Sequence, residues 1–245
     1  MSTLNDRKSI RKYLETDVDD ALLYQLLRTA EQTQTMGNLQ LYSVVITRDR
    51  EMKAKLAPSH FNQPMVTEAP VVLTFCADYN RTTLWCENRH AKPGYENFLS
   101  FINAATDALL YCQTFCNLAE EAGLGLCYLG TTVYNPQAII DLLELPRLVM
   151  PVATITLGWP AEDPAVSDRL PLKSVIHEET YQDYSPDLIN RFYCEKEALP
   201  ENKEFVQING KETLAQVFTD IRYTQKDCEE MSAGLLAALK NQGFL

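Results

Sequence analysis

Residues 95 to 122, "YENFLSFINAATDALLYCQTFCNLAEEA", decide how this chain folds. A surface helix carries one apolar stripe, whereas here apolar side chains recur on more than one face, so the stretch is predicted to be the central helix of the core. Gly123 follows where a helix C-cap is expected. Outward on the C-terminal side, "LGLCYLG" (124–130) reads as a short strand running into a glycine turn. "NPQAIIDLLEL" (135–145) reads as a helix with Asn135 at the N-cap and Pro136 in its first turn, and "MPVATITLGWP" (150–160) as a strand ended by Gly158 and Pro160. On the N-terminal side, "PVVLTFCAD" (70–78) is a buried strand, "REMKAKLA" (50–57) a short helix and "LYSVVITR" (41–48) a strand. Before them, "DVDDALLYQLLRTAEQ" (17–32) places Val18, Leu22, Leu23, Leu26, Leu27 and Ala30 at helical spacing. Beyond residue 160 come a polar loop, a short strand "LKSVIHEE" (172–179) and three helices separated by "PENKEFVQING" (200–210).

Strands alternate with helices without the strict βαβ rhythm of a doubly wound sheet, and no strand leads into a GxGxxG or other Gly-rich phosphate turn. With no internal repeat and no linker long enough to separate a second domain, residues 1–245 are expected to form one α+β domain.

The formal net charge is −11 and the pI near 4.8, which argues against a polyanion partner, because nucleic-acid affinity comes from Lys and Arg neutralising phosphates. The start, "MSTLNDRKSI", lacks the apolar core of a signal peptide, and no apolar run approaches the length of a membrane span, so a cytoplasmic protein is expected. Seven cysteines is an odd number, and Cys76, Cys112, Cys116 and Cys127 lie in apolar segments, so they read as small hydrophobes and no disulfide framework is implied.

Against this acidic background "DRKSIRKY" (6–13) concentrates Arg7, Lys8, Arg11 and Lys12. On a helix Arg7 and Arg11 would share a face with the Ser9 hydroxyl nearby, an arrangement suited to a phosphomonoester: charge-assisted hydrogen bonds contribute about 1.5–3 kcal/mol each, and a guanidinium fork engages two oxygens. The alternative is a solvated helix start with ion pairs to Asp6, Glu15 or Asp17, which contributes little.

The order "RKSIRKY", an amphipathic helix, then "TMGNLQLYSVVIT" resembles the opening of the nitroreductase family of FMN-dependent reductases. The resemblance continues through "NQPMVTEAPVVLTFCADYNR", "EEAGLGLCYLGTTVYNP" and "ITLGWPAED…DRLPLKSVIHEETY", from about residue 6 to 182, and its later part is most like the NADPH nitroreductase and flavin reductase branch. It implies a mixed β-sheet packed by helices around the central helix. It also implies an intertwined homodimer with the flavin at the subunit interface, and residues 183–245 as a helical extension at that interface.

By that resemblance the anion is the FMN phosphate. The flavin contacts fall on Arg7, Lys8, Ser9 and Arg11, on Thr35, Met36, Gly37 and Asn38, on Gln63, on Leu129, Gly130 and Thr131, and on Arg169. The chemistry is consistent residue by residue. Amides of Asn38 and Gln63 suit the pyrimidine edge of a flavin, and Gly37 and Gly130 let backbone approach a flat ring. A cation near N1 and O2 favours the anionic reduced flavin by roughly 4 kcal/mol at 4 Å and an effective dielectric near 20. Arg11 is the candidate for that role, with Arg7 and Lys8 nearer the phosphate. Where the branch usually has a Lys two residues before Arg169, this chain has Ser167, and Asp168 adds the opposite charge; Lys173 could compensate.

Other constellations read as structure. Cys112 and Cys116 are four apart on the core helix, but no further ligand lies at metal-site spacing and His60, His90 and His177 are scattered, so no metal is expected. His177 with Glu178 and Glu179 reads as belonging to a structural strand, and no Gx[ST]xG elbow marks a nucleophile. Arg222, in "TDIRYTQKD", could meet the phosphates of a nicotinamide cofactor, as an Arg of that region does in the branch, or form a surface salt bridge.

The expected activity is FMN-dependent reduction of nitroaromatics, quinones or flavins by NADPH or NADH in a ping-pong cycle, with the chemistry carried by the flavin and no catalytic side chain. Dehalogenation or dehydrogenation on the same fold, or flavin binding without turnover, are the alternatives.

Overall fold

The computed structural model describes residues 3–245. They form two compact units, the first running to Ala165 and resuming over Met231–Leu245, the second comprising Val166–Glu230. In chain order the first contains α1 (Asp20–Ala30), β1 (Tyr42–Thr47), α2 (Arg50–Leu56), α3 (Pro64–Glu68), β2 (Val71–Asp78), α4 (Asn80–Glu87), α5 (Phe98–Glu121), β3 (Gly125–Leu129), α6 (Pro136–Leu142) and β4 (Val149–Gly158). The second holds α7 (Pro186–Ala198), α8 (Pro200–Ile208), α9 (Leu214–Val217) and a π-helical turn (Phe218–Arg222); α10 (Gln225–Asn241) starts in the second unit and ends in the first.

The strands form one sheet in the order β1-β2-β4-β3, antiparallel at every pairing. The expected mixed sheet is therefore replaced, among the described residues, by a purely antiparallel one. The reason lies in the path of the chain. β2 and β3, joined through α4 and α5, point the same way but do not touch; β4 arrives last, fills the gap between them and runs against both. β2 and β4 are buried along their whole lengths, as central strands should be.

α5 lies on this sheet and buries Phe101, Ala104, Ala108, Tyr111, Cys112, Phe115, Cys116 and Ala119 along one face. Alanines let its backbone approach the strands, while Phe115 and Tyr111 fill the space beside Phe75 of β2, with ring centroids 6.1 and 5.9 Å away. Burying an aromatic of this kind contributes about 1.5–3 kcal/mol. Asn97 caps the helix start by accepting from the Ser100 N–H, and Gly123, at φ 83°, closes its end with Leu124 N–H donating to Ala119 O. The apolar residues on the other side, Phe98, Leu99, Ile102, Leu109 and Leu110, stay exposed within the chain.

Three local expectations are corrected. Residues 172–179 form no strand: Leu172–Ser174 is a 3-10 turn, and Val175 and Ile176 are exposed rather than paired. Side chains replace the ladder there, the Tyr184 hydroxyl donating to Ser174 O at 2.8 Å and Gln182 N–H to His177 Nδ1 at 3.1 Å. The segment 200–210, taken as a separator, is largely α8, because Pro200 in the first turn presets helical φ and needs no N–H partner. Residues 7–12 are not helical; they run beside the sheet and bond to it. Asn135 does occupy the N-cap position of α6, though its side chain makes no cap hydrogen bond. No helix among the described residues is long and apolar enough to cross a membrane.

Candidate active site

The basic segment is fixed by its backbone. Ile10 N–H donates to Leu126 O of β3 at 2.9 Å, Leu14 N–H to Trp159 O at 2.8 Å, and Ala161 N–H returns to Lys12 O at 3.0 Å. The buried Ile10 side chain sits on Gly125, where an added Cβ would come within 2.8 Å of three of its carbons, so only glycine admits this approach. Tyr13 locks the turn, its hydroxyl donating to Ile10 O at 2.7 Å and lying 2.7 Å from Thr156 Oγ1; burial pushes the phenol pKa up.

Sheet-edge docking brings the cations to acidic neighbours that the sequence reading did not assign to them. Arg7 lies 4.0 Å from Glu120 of α5, and Lys8 pairs with Asp163. Glu162 holds the backbone instead, its Oε1 accepting from Arg11 N–H at 2.6 Å and Lys12 N–H at 3.1 Å. A cavity of about 230 Å³ opens between Arg7, Lys8, Glu120, Gly125 and Glu162. Desolvation raises the Glu120 carboxyl pKa against the opposing pull of Arg7, and its Oε2 is buried without a hydrogen-bond partner among the described residues. Arg11 is exposed and has no carboxylate ion pair among the described residues; its guanidinium opposes the burial that raises the Cys127 thiol.

Gln63 and Thr131 are joined through His60. Gln63 Nε2 donates to His60 O at 3.1 Å, and His60 Nδ1 lies 2.8 Å from Thr131 Oγ1. Left-handed Phe61 and Asn62, at φ 55° and 53°, turn the chain back between Pro58 and Pro64 to make this possible. His60 is fully buried, burial lowers its pKa to about 4, and its Nε2 has no partner among the described residues. Leu129 is buried, whereas Gly130 is exposed and a Cβ there would meet nothing within 4 Å.

Thr35, Met36, Gly37 and Asn38 lie elsewhere. Asp107 of α5 accepts from Met36 N–H, and Arg7 stands near Glu120 on the same helix; the rise from residue 107 to residue 120 is about 20 Å. A single chain therefore does not bring the two groups together. Arg169 and Arg222 belong to the second unit. Arg169 Nη1 donates to Asp168 O at 2.8 Å, and Asp168 is neutralised by Lys196 of α7 at 2.8 Å. Arg222 ends the π-helical turn with its guanidinium over the Phe205 ring, 4.3 Å from the centroid. Cys112 and Cys116 are core residues, and His177 stacks on Tyr181 at 4.3 Å.

Sequence reasoning missed His60, Asp107 and the acidic pair Glu162 and Asp163. One signal was available: Asp107 is a carboxylate in the middle of an apolar helix, which calls for a buried partner.

A chain of known crystal structure from Bacteroides fragilis NCTC 9343 is 60% identical over the full length of both chains, with a TM-score of 0.99. The FMN reductase [NAD(P)H] of Bacillus subtilis (strain 168) is 36% identical over 87% of this chain and 86% of its own length. The oxygen-insensitive NADPH nitroreductase of Salmonella typhimurium (strain LT2) is 31% identical over 97% and 94%. The family model described as Nitroreductase family matches residues 4–159, which span the basic segment, the 35–38 turn, Gln63 and the turn after β3, and the chain belongs to that family.

Proposed function

We propose that this chain is an FMN-dependent oxidoreductase that takes electrons from NADPH or NADH and passes them to small electron-poor acceptors such as nitroaromatics, quinones or free flavins. The observation that carries the reading is the basic segment pinned along β3 with Arg11 left without a carboxylate partner among the described residues. A dianionic phosphate needs such donors, and Arg7, Lys8, Ser9 and Arg11 supply them in one rigid stretch. The open space at Gly130 and the amide of Gln63 suit a flat heteroaromatic ring, so the residues present fit the cofactor.

The chemistry FMN supplies when bound is hydride transfer, two electrons in from the nicotinamide and two out to the acceptor in alternating half-reactions. The chain's own role is to bind, orient and balance charge. Arg11 would hold positive charge beside the ring, Gln63 and Asn38 would offer their amides to its pyrimidine edge, and Arg169 carries a further cation of the second unit. Arg222, exposed and braced on Phe205, is available to the phosphates of the nicotinamide cofactor.

The active unit in this reading is a homodimer. Two observations support it: the 35–38 turn and the basic segment are too far apart in one chain to hold the same ring, and α5 leaves Phe98, Leu99, Ile102, Leu109 and Leu110 exposed. Residues 183–245 are the helical extension proposed for the subunit interface.

Colour tests the reading. A purified protein that is yellow and bleaches on addition of NADPH or NADH, then recovers its colour with a quinone, is the reductase. One that stays yellow is a flavin binder without turnover, and a colourless protein that takes up no added FMN refutes both.

A further inference from the structure

The turn that carries Met36, Gly37 and Asn38 has an unusual backbone. Gly37, Asn38 and Gln40 all lie in the left-handed region, at φ 55°, 56° and 48°. Each non-glycine residue held there is strained by about 1 kcal/mol or more, so such a run persists only when its surroundings over-determine it.

The surroundings that do so are two charged side chains gripping the turn from different elements. From α5, Asp107 accepts through Oδ1 from Met36 N–H at 2.9 Å and through Oδ2 from Leu41 N–H at 3.1 Å. Its residue exposure is 2%, so no water shell competes for these oxygens. From α4, Arg81 donates to Gln40 O and, at 3.3 Å, to Tyr42 O. Arg81 is itself held at its backbone, its N–H donating to Asp78 Oδ1 at 3.2 Å, and Asp78 also receives the Ser43 hydroxyl. The carboxylate thus fixes the two donors that bracket the turn, and the guanidinium fixes two carbonyls at its exit into β1.

A core that needed only to be filled at position 107 would be better served by an apolar residue, since a buried carboxylate is destabilising unless both oxygens are satisfied. Both are satisfied here, and by the turn alone. We propose that Asp107 is a positioning residue for cofactor binding, which together with Arg81 holds residues 36–41 in the conformation that presents the Asn38 amide. The proposal rests on the reading that this turn contacts FMN.

Asp107→Asn tests it, because the amide nearly matches the carboxylate in shape but keeps only one acceptor, leaving either Met36 N–H or Leu41 N–H facing another donor. FMN binding to apoprotein is followed by quenching of flavin fluorescence, and the visible absorption band and reduction potential of the bound flavin are recorded. The expected result is a Kd raised at least tenfold, with a displaced band and potential. In an Asn38→Ala background, Asp107→Asn should cost several-fold less, since its effect passes through that amide. Wild-type protein that binds FMN beside a D107N variant with unchanged Kd, band and potential overturns the inference while leaving the functional reading intact. Wild-type protein that takes up no FMN overturns the reading and the inference with it. Should D107N not fold, Arg81→Gln on the exposed side of the clamp replaces it: a severalfold rise in Kd supports the clamp and an unchanged Kd refutes it.

Discussion

The imidazole of His60 and the hydroxyl of Thr131 lie 2.8 Å apart and join the loop before α3 to the turn after β3. The link has a pH signature. Burial lowers the folded-state pKa of His60 to about 4, below its ordinary 6.5, so between these values the unfolded chain binds more protons than the native one. The stability that the neutral ring provides is complete above about pH 6.5 and is lost as the pH falls towards 4, a difference of about 3 kcal/mol. Denaturant titrations across that window should show the decline in wild-type protein and a flatter profile in His60→Gln. Equal slopes would assign the acid sensitivity to other groups.

Gly125→Ala is expected to disturb the basic segment from beneath. The new Cβ would sit 2.8 Å from Cβ, Cγ1 and Cγ2 of Ile10. A β-branched side chain has no free rotamer through which to retreat, so the segment must lift from β3 at about 1–3 kcal/mol. Thermal unfolding should fall accordingly, and FMN affinity with it, since Arg7, Ser9 and Arg11 move as one piece. Unchanged affinity in a destabilised protein would separate the segment from the cofactor.

The features read correctly from sequence share a physical property: they are written locally. Helical spacing in 17–32 and 95–122 and apolar runs in 70–78 and 150–160 placed α1, α5, β2 and β4, because periodicity and burial act within a few residues. What could not be read depended on distant partners. Residues 7–12 have a helix-compatible pattern, yet they run beside the sheet because Leu126, Trp159 and Ala161 offer backbone bonds from more than a hundred residues away. Val175 and Ile176 look like strand residues, but no strand among the described residues pairs with them. The candidate cations were legible as a cluster, whereas their carboxylate neighbours Glu120, Glu162 and Asp163 became visible only in three dimensions.

Arg11→Ala addresses the cation at the centre of the proposed site. The side chain is exposed and makes no ion pair among the described residues, and the backbone N–H to Glu162 survives the substitution, so folding should be unaffected within about 0.5 kcal/mol. A lost charge-assisted contact of about 1.5–3 kcal/mol should raise the FMN Kd tenfold or more and slow reduction by NADPH. Flavin content after gel filtration and stopped-flow bleaching measure the two effects. Wild-type values for both would remove Arg11 from the site.

Asp163→Asn is expected to act in the opposite direction. Lys8 pairs with Asp163, whose side chain is 87% exposed, and such a pair contributes little to folding. A phosphate that docks on Lys8 has to displace this carboxylate and then lie beside its negative charge. Removing the charge should therefore tighten FMN binding about two- to fivefold, equivalent to about 0.4–1 kcal/mol, with almost no change in Tm. Screening supplies the control, because the advantage of the variant should shrink as ionic strength rises. Glu162→Ala supplies the contrast: its carboxylate holds two backbone N–H groups of the segment, so its loss should weaken binding although it too removes a negative charge. Should Asp163→Asn leave the Kd unchanged at low salt, Lys8 does not touch the phosphate, and the anion site narrows to Arg7, Ser9 and Arg11.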